Sequence, residues 1–227
     1  MNALTNIWNG LDWSVLTNIL FSVIPALICI TLHELSHGYV AYLMGDDTAK
    51  RAGRLTLNPV KHIDWWGLVM MVMFHFGWAK PVPVDMRRFK NPKRGMAITA
   101  LAGPVSNLII AAVFIFLYGL LYMPLMTHRT SLSWAVLDMI MTTGYLSTAL
   151  AVFNLIPISP LDGSKVLFSF LSDRAYGKLM RYERYGMIVI LLLVVTGGLS
   201  GVLSTATGWV YDKLFFIAEF GFDLVNH

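Results

Sequence analysis

Residues 33–37 read His-Glu-Leu-Ser-His, so that two histidines four positions apart enclose a glutamate. On a helix, side chains four residues apart lie on one face, one turn from each other. Two imidazole nitrogens at this spacing can bind one zinc ion, and a glutamate beside the first histidine can act on a bound water. We therefore take His33 and His37 as candidate zinc ligands and Glu34 as the candidate catalytic residue.

The motif stands at the end of an apolar run, residues 19–30, which has the composition of a membrane interior. The chain of 227 residues is 56% hydrophobic and only 13% charged, whereas soluble domains carry about 25% charged residues. This composition predicts an integral membrane protein with one membrane-embedded domain, residues 1–227. Ionisable side chains within a span are costly, so the motif is expected to face protein or a water-filled cavity.

The hydropathy pattern predicts an α-helical polytopic membrane protein with about four transmembrane helices. The spans are expected near 18–44, 96–122, 134–157 and 186–203. The tail, 209–227, mixes aromatic and charged residues and favours an amphipathic helix at the membrane surface rather than a fifth span.

The region between the first two spans has a different character. Alternation of polar and apolar residues at 54–59 favours a short strand and a turn, and 68–76 is too short to cross a bilayer. Two prolines, Pro81 and Pro83, argue against a helix after it. We predict a small β-hairpin or re-entrant region over 51–86, whose open edge could accept an extended peptide at the 68–84 hairpin.

The charge distribution orients the spans. Residues 45–95 and 163–185 hold ten and five of the 17 Lys and Arg residues, and a four-span topology places both segments on one side. By the positive-inside rule that side is cytoplasmic, which puts the metal motif toward the cytoplasm. The basic excess is thereby explained by topology and by anionic lipid, and nucleic acid is not expected as a partner.

A catalytic zinc usually takes three protein ligands and leaves a fourth position open. Asp162 is the acidic residue at the end of the third span that lies at the depth of the histidines, whereas Asp138 lies at the opposite end. Prolines before it and a glycine after it indicate an unwound helix end that can turn a carboxylate inward. A plain turn aspartate is the alternative interpretation.

Two asparagines also lie inside spans, where an amide is costly unless it is hydrogen-bonded. For Asn107 and Asn154 the interpretations are an interhelical hydrogen bond or an amide aimed at a substrate. His75 lies among Met and Phe residues and is expected to be an ordinary packed histidine, although contact with metal or substrate remains open.

Together these pieces resemble the site-2 protease family of intramembrane zinc metalloproteases, in its compact bacterial form without a PDZ or CBS domain. Four matching pieces occur in order: the His-Glu-Leu-Ser-His motif, the Gly-Trp-Ala-Lys-Pro-Val-Pro stretch of 77–83, the Gly-x-x-x-Asn pattern of 103–107, and the Asn-x-x-Pro-x-x-x-Leu-Asp-Gly pattern of 154–163. The ordered set is far more specific than the first motif alone.

The resemblance implies one zinc ion per chain, held by His33, His37 and Asp162, with Glu34 as catalytic residue. It implies, more loosely, that Asn107 and Asn154 handle substrate or support the transition state. The implied activity is zinc-dependent endopeptidase cleavage in or near transmembrane segments of membrane proteins.

The implied setting is the lipid bilayer of a bacterial cytoplasmic membrane, with the active site on the cytoplasmic side. The rival hypotheses are a non-proteolytic membrane metal-binding protein and a metal or proton transporter. The substrate, the regulatory pathway and the oligomeric state are left open by the sequence.

Overall fold

The computed structural model describes residues 13–74 and 77–226, and α-helices dominate these residues. His75 therefore lies outside the described residues. In chain order the helices are α1 Trp13–Leu43, α2 Thr48–Arg51, α3 Trp65–Phe74, α4 Pro92–His128, α5 Ser131–Asn154, α6 Asp162–Ser169, α7 Asp173–Arg181, α8 Glu183–Val195, α9 Ser200–Leu214 and α10 Phe216–Asn226. This confirms the predicted α-helical polytopic class.

Among the described residues, three helices are long and apolar enough to cross a membrane: α1 over Val23–Leu43, α4 and α5. Local sequence signals set their ends. Asn91 accepts a hydrogen bond from the backbone of Arg94, with Pro92 as the first helical residue of α4. The 37 residues of α4 span about 55 Å, which exceeds the ~30 Å hydrocarbon core. One end of α4 therefore extends beyond the bilayer.

The fourth span differs from the predicted continuous helix over 186–203. Its residues belong to two helices, and Tyr185–Val195 and Ser200–Val225 meet at an angle of 88°. The chain turns at Gly197, whose φ of +72° is accessible to glycine at little cost. The described residues hold three candidate spans, or four when the bent pair is taken as one span, which agrees with the prediction of about four, while the bounds of the last one are corrected.

The tail is helical, as predicted, but it does not begin a new element at residue 209, which lies inside α9. Helix α10 packs along α4. A Cβ on Gly119 would lie 1.9 Å from the backbone oxygen of Ala218, and one on Gly221 would lie 2.6 Å from that of Phe116. These glycines permit a close approach of two backbones.

The predicted β-hairpin over 51–86 is wrong for the described part of this region. Its β-pairing there is a single antiparallel bridge between Ile63 and Ala79, and 65–74 forms the helix α3. A longer ladder is prevented because Pro81 and Pro83 have no N–H to donate, and the N–H of Val82 bonds a side chain instead. The ten residues of α3 are too few to span a bilayer, as expected.

The centre of the molecule is α4, which packs against α1, α5, α6 and α10. Helix α1 also contacts α5, so the three long helices form one bundle. The short helix α6 starts eight residues after α5 ends and turns back onto α4. This path brings the start of α6 beside the C-terminal part of α1, where the histidine motif lies.

Candidate metal centre

The two histidines of the motif point their Nε2 atoms at the same place. His33 and His37 are one turn apart on α1, with a distance of 3.0 Å between the Nε2 atoms and with their rings edge to face. The His33 residue is 7% exposed, so the pair is largely shielded from solvent. The two nitrogens are close enough to bind one metal ion, as the four-residue spacing of the histidines predicted.

The carboxylate of Asp162 completes the cluster. Its Oδ2 atom lies 3.2 Å from Nε2 of His33 and 3.2 Å from Nε2 of His37. Asp162 is the first residue of α6, and Gly163 lets that turn approach α5, since a Cβ there would lie 2.2 Å from the backbone oxygen of Leu155. The chain around Asp162 therefore has the sharp turn that its prolines and glycine predicted.

Burial opposes ionisation of Asp162, yet the imidazoles of His33 and His37, each 3.2 Å from its Oδ2 atom, outweigh the effect of burial. The pKa of the carboxyl consequently lies well below its ordinary value. The cluster thus presents an anionic oxygen and two imidazole nitrogens, which is a common donor set for zinc.

The geometry of the three atoms fits a zinc ion. A tetrahedral ion with ligand distances of about 2.0–2.1 Å has ligand–ligand edges of about 3.3 Å. The three observed edges, between two nitrogens and one oxygen, are 3.0, 3.2 and 3.2 Å. Three ligand atoms on one triangular face leave the fourth position of the tetrahedron open, as in catalytic sites.

One face of α4 supports both histidines from behind. Thr99, Gly103 and Asn107 are spaced by four residues and therefore lie in line along the helix. The backbone oxygen of Thr99 is 2.7 Å from Nδ1 of His37, and the amide nitrogen of Asn107 is 3.1 Å from Nδ1 of His33. The two rings rest on Gly103, where a Cβ would lie 2.5 Å from Cε1 of each histidine.

Glu34 is held by a segment from outside the helical bundle. Its Oε2 atom accepts a hydrogen bond of 2.8 Å from the backbone N–H of Val82. We call residues 77–84, which pass alongside α1 at this point, the crossing segment. Pro81 and Pro83 have no N–H, so Val82 carries the one backbone donor of these three residues. The sequence therefore directs a single backbone donor toward Glu34.

The crossing segment is fixed before the point where it meets Glu34. The N–H of Lys80 donates to the backbone oxygen of His62 at 2.9 Å, and the guanidinium of Arg54 donates to the backbone oxygen of Lys80 at 2.6 Å. Arg54 and His62 are 7% and 1% exposed. Buried polar groups thereby hold the first half of the segment in place.

A second anchor follows the segment. The N–H of Asp85 donates to Oδ2 of the fully buried Asp46 at 2.7 Å, just beyond the end of α1. The side chain and backbone N–H of Arg87 donate to Asp85 and hold the pKa of that carboxyl below its ordinary value. One anchor precedes Val82 in the chain and the other follows it, and both attach to residues near α1. Together they fix the position of Val82 relative to Glu34.

The structure brings together the residues predicted as metal ligands, His33, His37 and Asp162. Asn107 reaches His33, while the amide of Asn154 donates to the backbone oxygen of Leu150 in its own helix. Asn154 is therefore outside the direct contacts of the cluster.

Sequence reasoning assigned no role to three contributors to the site, Thr99, Gly103 and Val82, although the 103–107 and 77–83 patterns contain two of them. Thr99 and Val82 act through backbone atoms, which residue types do not reveal. Gly103 could have been found from the small-residue and asparagine spacing of 103–107, which places a gap and an amide on one helix face.

Comparison with known proteins supports a metal-dependent peptidase. A model of peptidase family M50 matches residues 120–197. A Bacillus subtilis protein named zinc metalloprotease YwhC is 42% identical over 176 residues, which are 78% of this chain and 80% of the relative. The zinc metalloprotease Rip2 of Mycolicibacterium smegmatis is 27% identical over 82% of this chain and 71% of its own length.

A more distant relative is archaeal. The zinc metalloprotease MJ0392 of Methanocaldococcus jannaschii is 27% identical over 85% of this chain, which corresponds to 45% of the relative. No solved structure matches the chain. The similarity therefore rests on sequence, and with YwhC it covers 78% of this chain.

Proposed function

Because the chain belongs to peptidase family M50, we propose that it cleaves peptide bonds in or near the transmembrane segments of other membrane proteins. The chain is a multi-pass membrane zinc metalloprotease. The observation that carries the proposal is the position of the cluster: His33 and His37 lie within a helix that can span the bilayer, and Asp162 closes on them. A peptidase centre built into a span has its nearest substrates in the membrane.

We assign His33, His37 and Asp162 as the zinc ligands, on the fit of their three atoms to one tetrahedral face. When bound, zinc acts as a Lewis acid that acidifies water and polarises a peptide carbonyl. The two neutral imidazoles and one carboxylate leave a net positive charge at the metal, which favours both effects.

Glu34 is the proposed general base and acid. Val82 holds its Oε2 atom, so Oε1 remains the atom that takes the proton from the attacking water. The same carboxyl then returns the proton to the leaving amine nitrogen. A base that is already oriented by a backbone N–H loses little conformational freedom when substrate binds.

The substrate must lose helical structure before cleavage. In a helix each peptide carbonyl is engaged in a hydrogen bond and is shielded by side chains. Unwound backbone within a bilayer is tolerated only where protein or water satisfies its polar groups. We propose that Asn154 satisfies such groups of the substrate, because its side-chain amide nitrogen bonds Leu150 and its side-chain oxygen makes no hydrogen bond to the described residues.

The proposed orientation places the metal centre toward the cytoplasm. Fifteen of the 17 Lys and Arg residues lie in 45–95 and 163–185, and these segments adjoin the end of α1 and the start of α6 that carry the cluster. The positive-inside rule then assigns that side to the cytoplasm, and the bacterial cytoplasmic membrane is the proposed location.

The relatives do not favour a transporter or a structural metal site, since all seven matching proteins are named zinc metalloproteases. A structural zinc site has four protein ligands. Within the described residues, the metal-binding cluster of His, Cys, Asp and Glu side chains has three members.

Reconstitution tests the proposed function. The purified protein would be placed in liposomes with tagged single-span proteins, and cleavage sites would be mapped by mass spectrometry. We expect cuts within or beside the spans, loss of cutting after treatment with a zinc chelator, and recovery when zinc is restored. Cleavage confined to soluble peptides, or cleavage that persists without zinc, would contradict the proposal.

A further inference from the structure

A histidine can bind zinc through Nε2 only if its proton is on Nδ1, so the partner of Nδ1 decides whether the ring is ready for metal. His37 meets this condition through its contact with Thr99. A backbone carbonyl can only accept, and the oxygen of Thr99 lies 2.7 Å from Nδ1 of His37. Nδ1 is therefore the donor, and the lone pair of Nε2 faces the cluster.

The hydrogen-bond partner of His33 does not fix which ring nitrogen carries the proton. Nδ1 of His33 faces the side-chain amide of Asn107, which offers a donor and an acceptor. Asn107 is fully buried, and its backbone oxygen accepts a hydrogen bond of 2.8 Å from the hydroxyl of Ser147 on α5. The amide thus has a fixed position between three helices, while its terminal atoms can exchange places by a 180° rotation.

We propose that Asn107 is a positioning residue that sets the tautomer of His33 for zinc binding. In the structure, Nδ2 faces Nδ1 of His33 at 3.1 Å, and Oδ1 has no hydrogen-bond partner. A donor in this place would put the ring proton on Nε2, where it would point into the cluster. Rotation of the amide presents Oδ1 to Nδ1–H and leaves the Nε2 lone pair for the metal.

In either orientation, one terminal atom of the Asn107 amide has a hydrogen-bond partner and the other has none. The hydrogen bonds of Asn107 therefore do not by themselves favour one orientation over the other. Ligation by His33 makes the choice, because only the orientation with Oδ1 toward the ring frees Nε2. A hydrogen-bond partner on the histidine nitrogen that does not bind the metal fixes the orientation of the ring and raises the basicity of the ligand. This inference rests on the proposed zinc ligation by His33.

The burial of Asn107 separates this role from direct contact with substrate. Its residue exposure is 0%, and its amide lies on the Nδ1 side of His33, away from the Nε2 atom that faces Asp162. A substrate carbonyl at the metal would be on the other side of the ring. Asn107 consequently acts through the histidine.

Zinc affinity tests the assignment without reference to peptidase activity. The full chain in detergent would be stripped of metal, and its zinc affinity would be measured by competition with a chromophoric chelator. We expect Asn107→Leu, which keeps the number and branching of the heavy atoms and removes the acceptor, to weaken zinc binding roughly 10- to 100-fold. Asn107→Asp can only accept while ionised, and it should restore affinity to within a few-fold of wild type.

Asn154→Leu is the matched control, because the amide of Asn154 bonds Leu150 in its own helix. Its zinc affinity should equal that of wild type. The visible spectrum of the cobalt-substituted protein provides a second readout, since a change in the orientation of one imidazole alters the ligand field. We expect a changed spectrum for Asn107→Leu and a wild-type spectrum for Asn154→Leu.

Unchanged zinc affinity in Asn107→Leu would overturn the assignment. If that variant does not fold, Asn107→Asp decides: a loss of ten-fold or more in a folded Asp variant would show that a donor is needed, and the assignment would be wrong. These outcomes are independent of cleavage. A protein with the expected affinities that cuts no membrane substrate would retain this inference and lose the proposed function.

Discussion

Asp162 is the residue that converts a pair of histidines into a three-atom site. Without it, two nitrogens on one helix turn remain, and the triangular face of 3.0–3.2 Å edges is lost. Loss of a hydrogen-bond partner of a ligand lowers metal affinity by up to roughly 100-fold. We expect Asp162→Ala, which removes a proposed ligand itself, to lower zinc affinity by more than this. Zinc per chain, measured by mass spectrometry after purification, checks this.

Asp138→Ala is the control for that measurement, because Asp138 is an exposed residue near the opposite end of α5. It should retain the zinc content of wild type. If Asp162→Ala also retained its zinc, Asp162 would have to be removed from the proposed ligand set.

Residue types and spacing predicted the three side chains that the structure brings together, and they singled out Glu34 beside them. His33, Glu34 and His37 follow from a helical repeat, and Asp162 follows from depth within the bilayer and from its prolines and glycine. The carbonyl of Thr99 and the N–H of Val82 could not be predicted, because every residue has a carbonyl and nearly every residue an N–H. Their use depends on how separate elements pack.

At the scale of elements, the close approach of α1 to α4 depends on Gly103. We expect Gly103→Ala to weaken zinc binding by roughly ten-fold or more, because its Cβ would lie 2.5 Å from the rings of His33 and His37 and would displace them. Chelator competition provides the measurement.

Gly208→Ala in α9 is the matched substitution, since a Cβ there meets nothing within 4 Å. It should leave zinc affinity unchanged and increase stability slightly, as alanine does in a helix interior. Equal zinc affinities for Gly103→Ala and Gly208→Ala would show that the packing of α4 does not position the histidines.

The crossing segment offers a separate test, because its N–H donates to Glu34, which is not a proposed metal ligand. Val82→Pro removes the N–H that Glu34 accepts, and a hydrogen bond to a charged group contributes about 1.5–3 kcal/mol. We expect cleavage to fall roughly 10- to 100-fold through kcat, with zinc content unchanged.

Val82→Ala keeps the N–H and removes most of a buried side chain, so it separates packing from hydrogen bonding. It should retain most of the activity that Val82→Pro loses. Equal losses in the two variants would assign the effect to packing and would contradict the proposed role of the N–H.

Two elements show where sequence patterns were insufficient. The alternation at 54–59 matches a strand, yet its polar groups serve local contacts, such as the hydrogen bond between His62 and the backbone oxygen of Thr56. The apolar run at 186–203 matches a span, yet it bends at Gly197. Hydropathy measures the affinity of a segment for lipid and contains no term for a turn within it.

At the scale of the whole molecule, the orientation can be tested with single cysteines. Cys29 is fully buried, so added cysteines can be labelled selectively. Lys90→Cys and Lys178→Cys should react with a membrane-impermeant maleimide only after the cytoplasmic side is opened, whereas Arg129→Cys should react in intact spheroplasts. All three positions are exposed. The reverse pattern would place the metal centre on the outer side.

The membrane class and the number of spans could be predicted because composition and charge are properties of the whole chain. The pairing of helices could not be derived in the same way. Hydrophobic α-helices have similar apolar surfaces, and their partners are set by small residues such as Gly103 and Gly119 and by a few polar contacts. Those features occupy single positions and become informative only when the partner helix is known.

The most direct test of the central claim compares wild type with Glu34→Gln in liposomes that contain a single-span substrate. The account predicts that Glu34→Gln binds zinc as wild type does, because Glu34 is not a ligand, and that cleavage falls by about 10²- to 10⁴-fold, because no carboxylate remains to move the proton. A Glu34→Gln variant that binds zinc and cuts at the wild-type rate would contradict it.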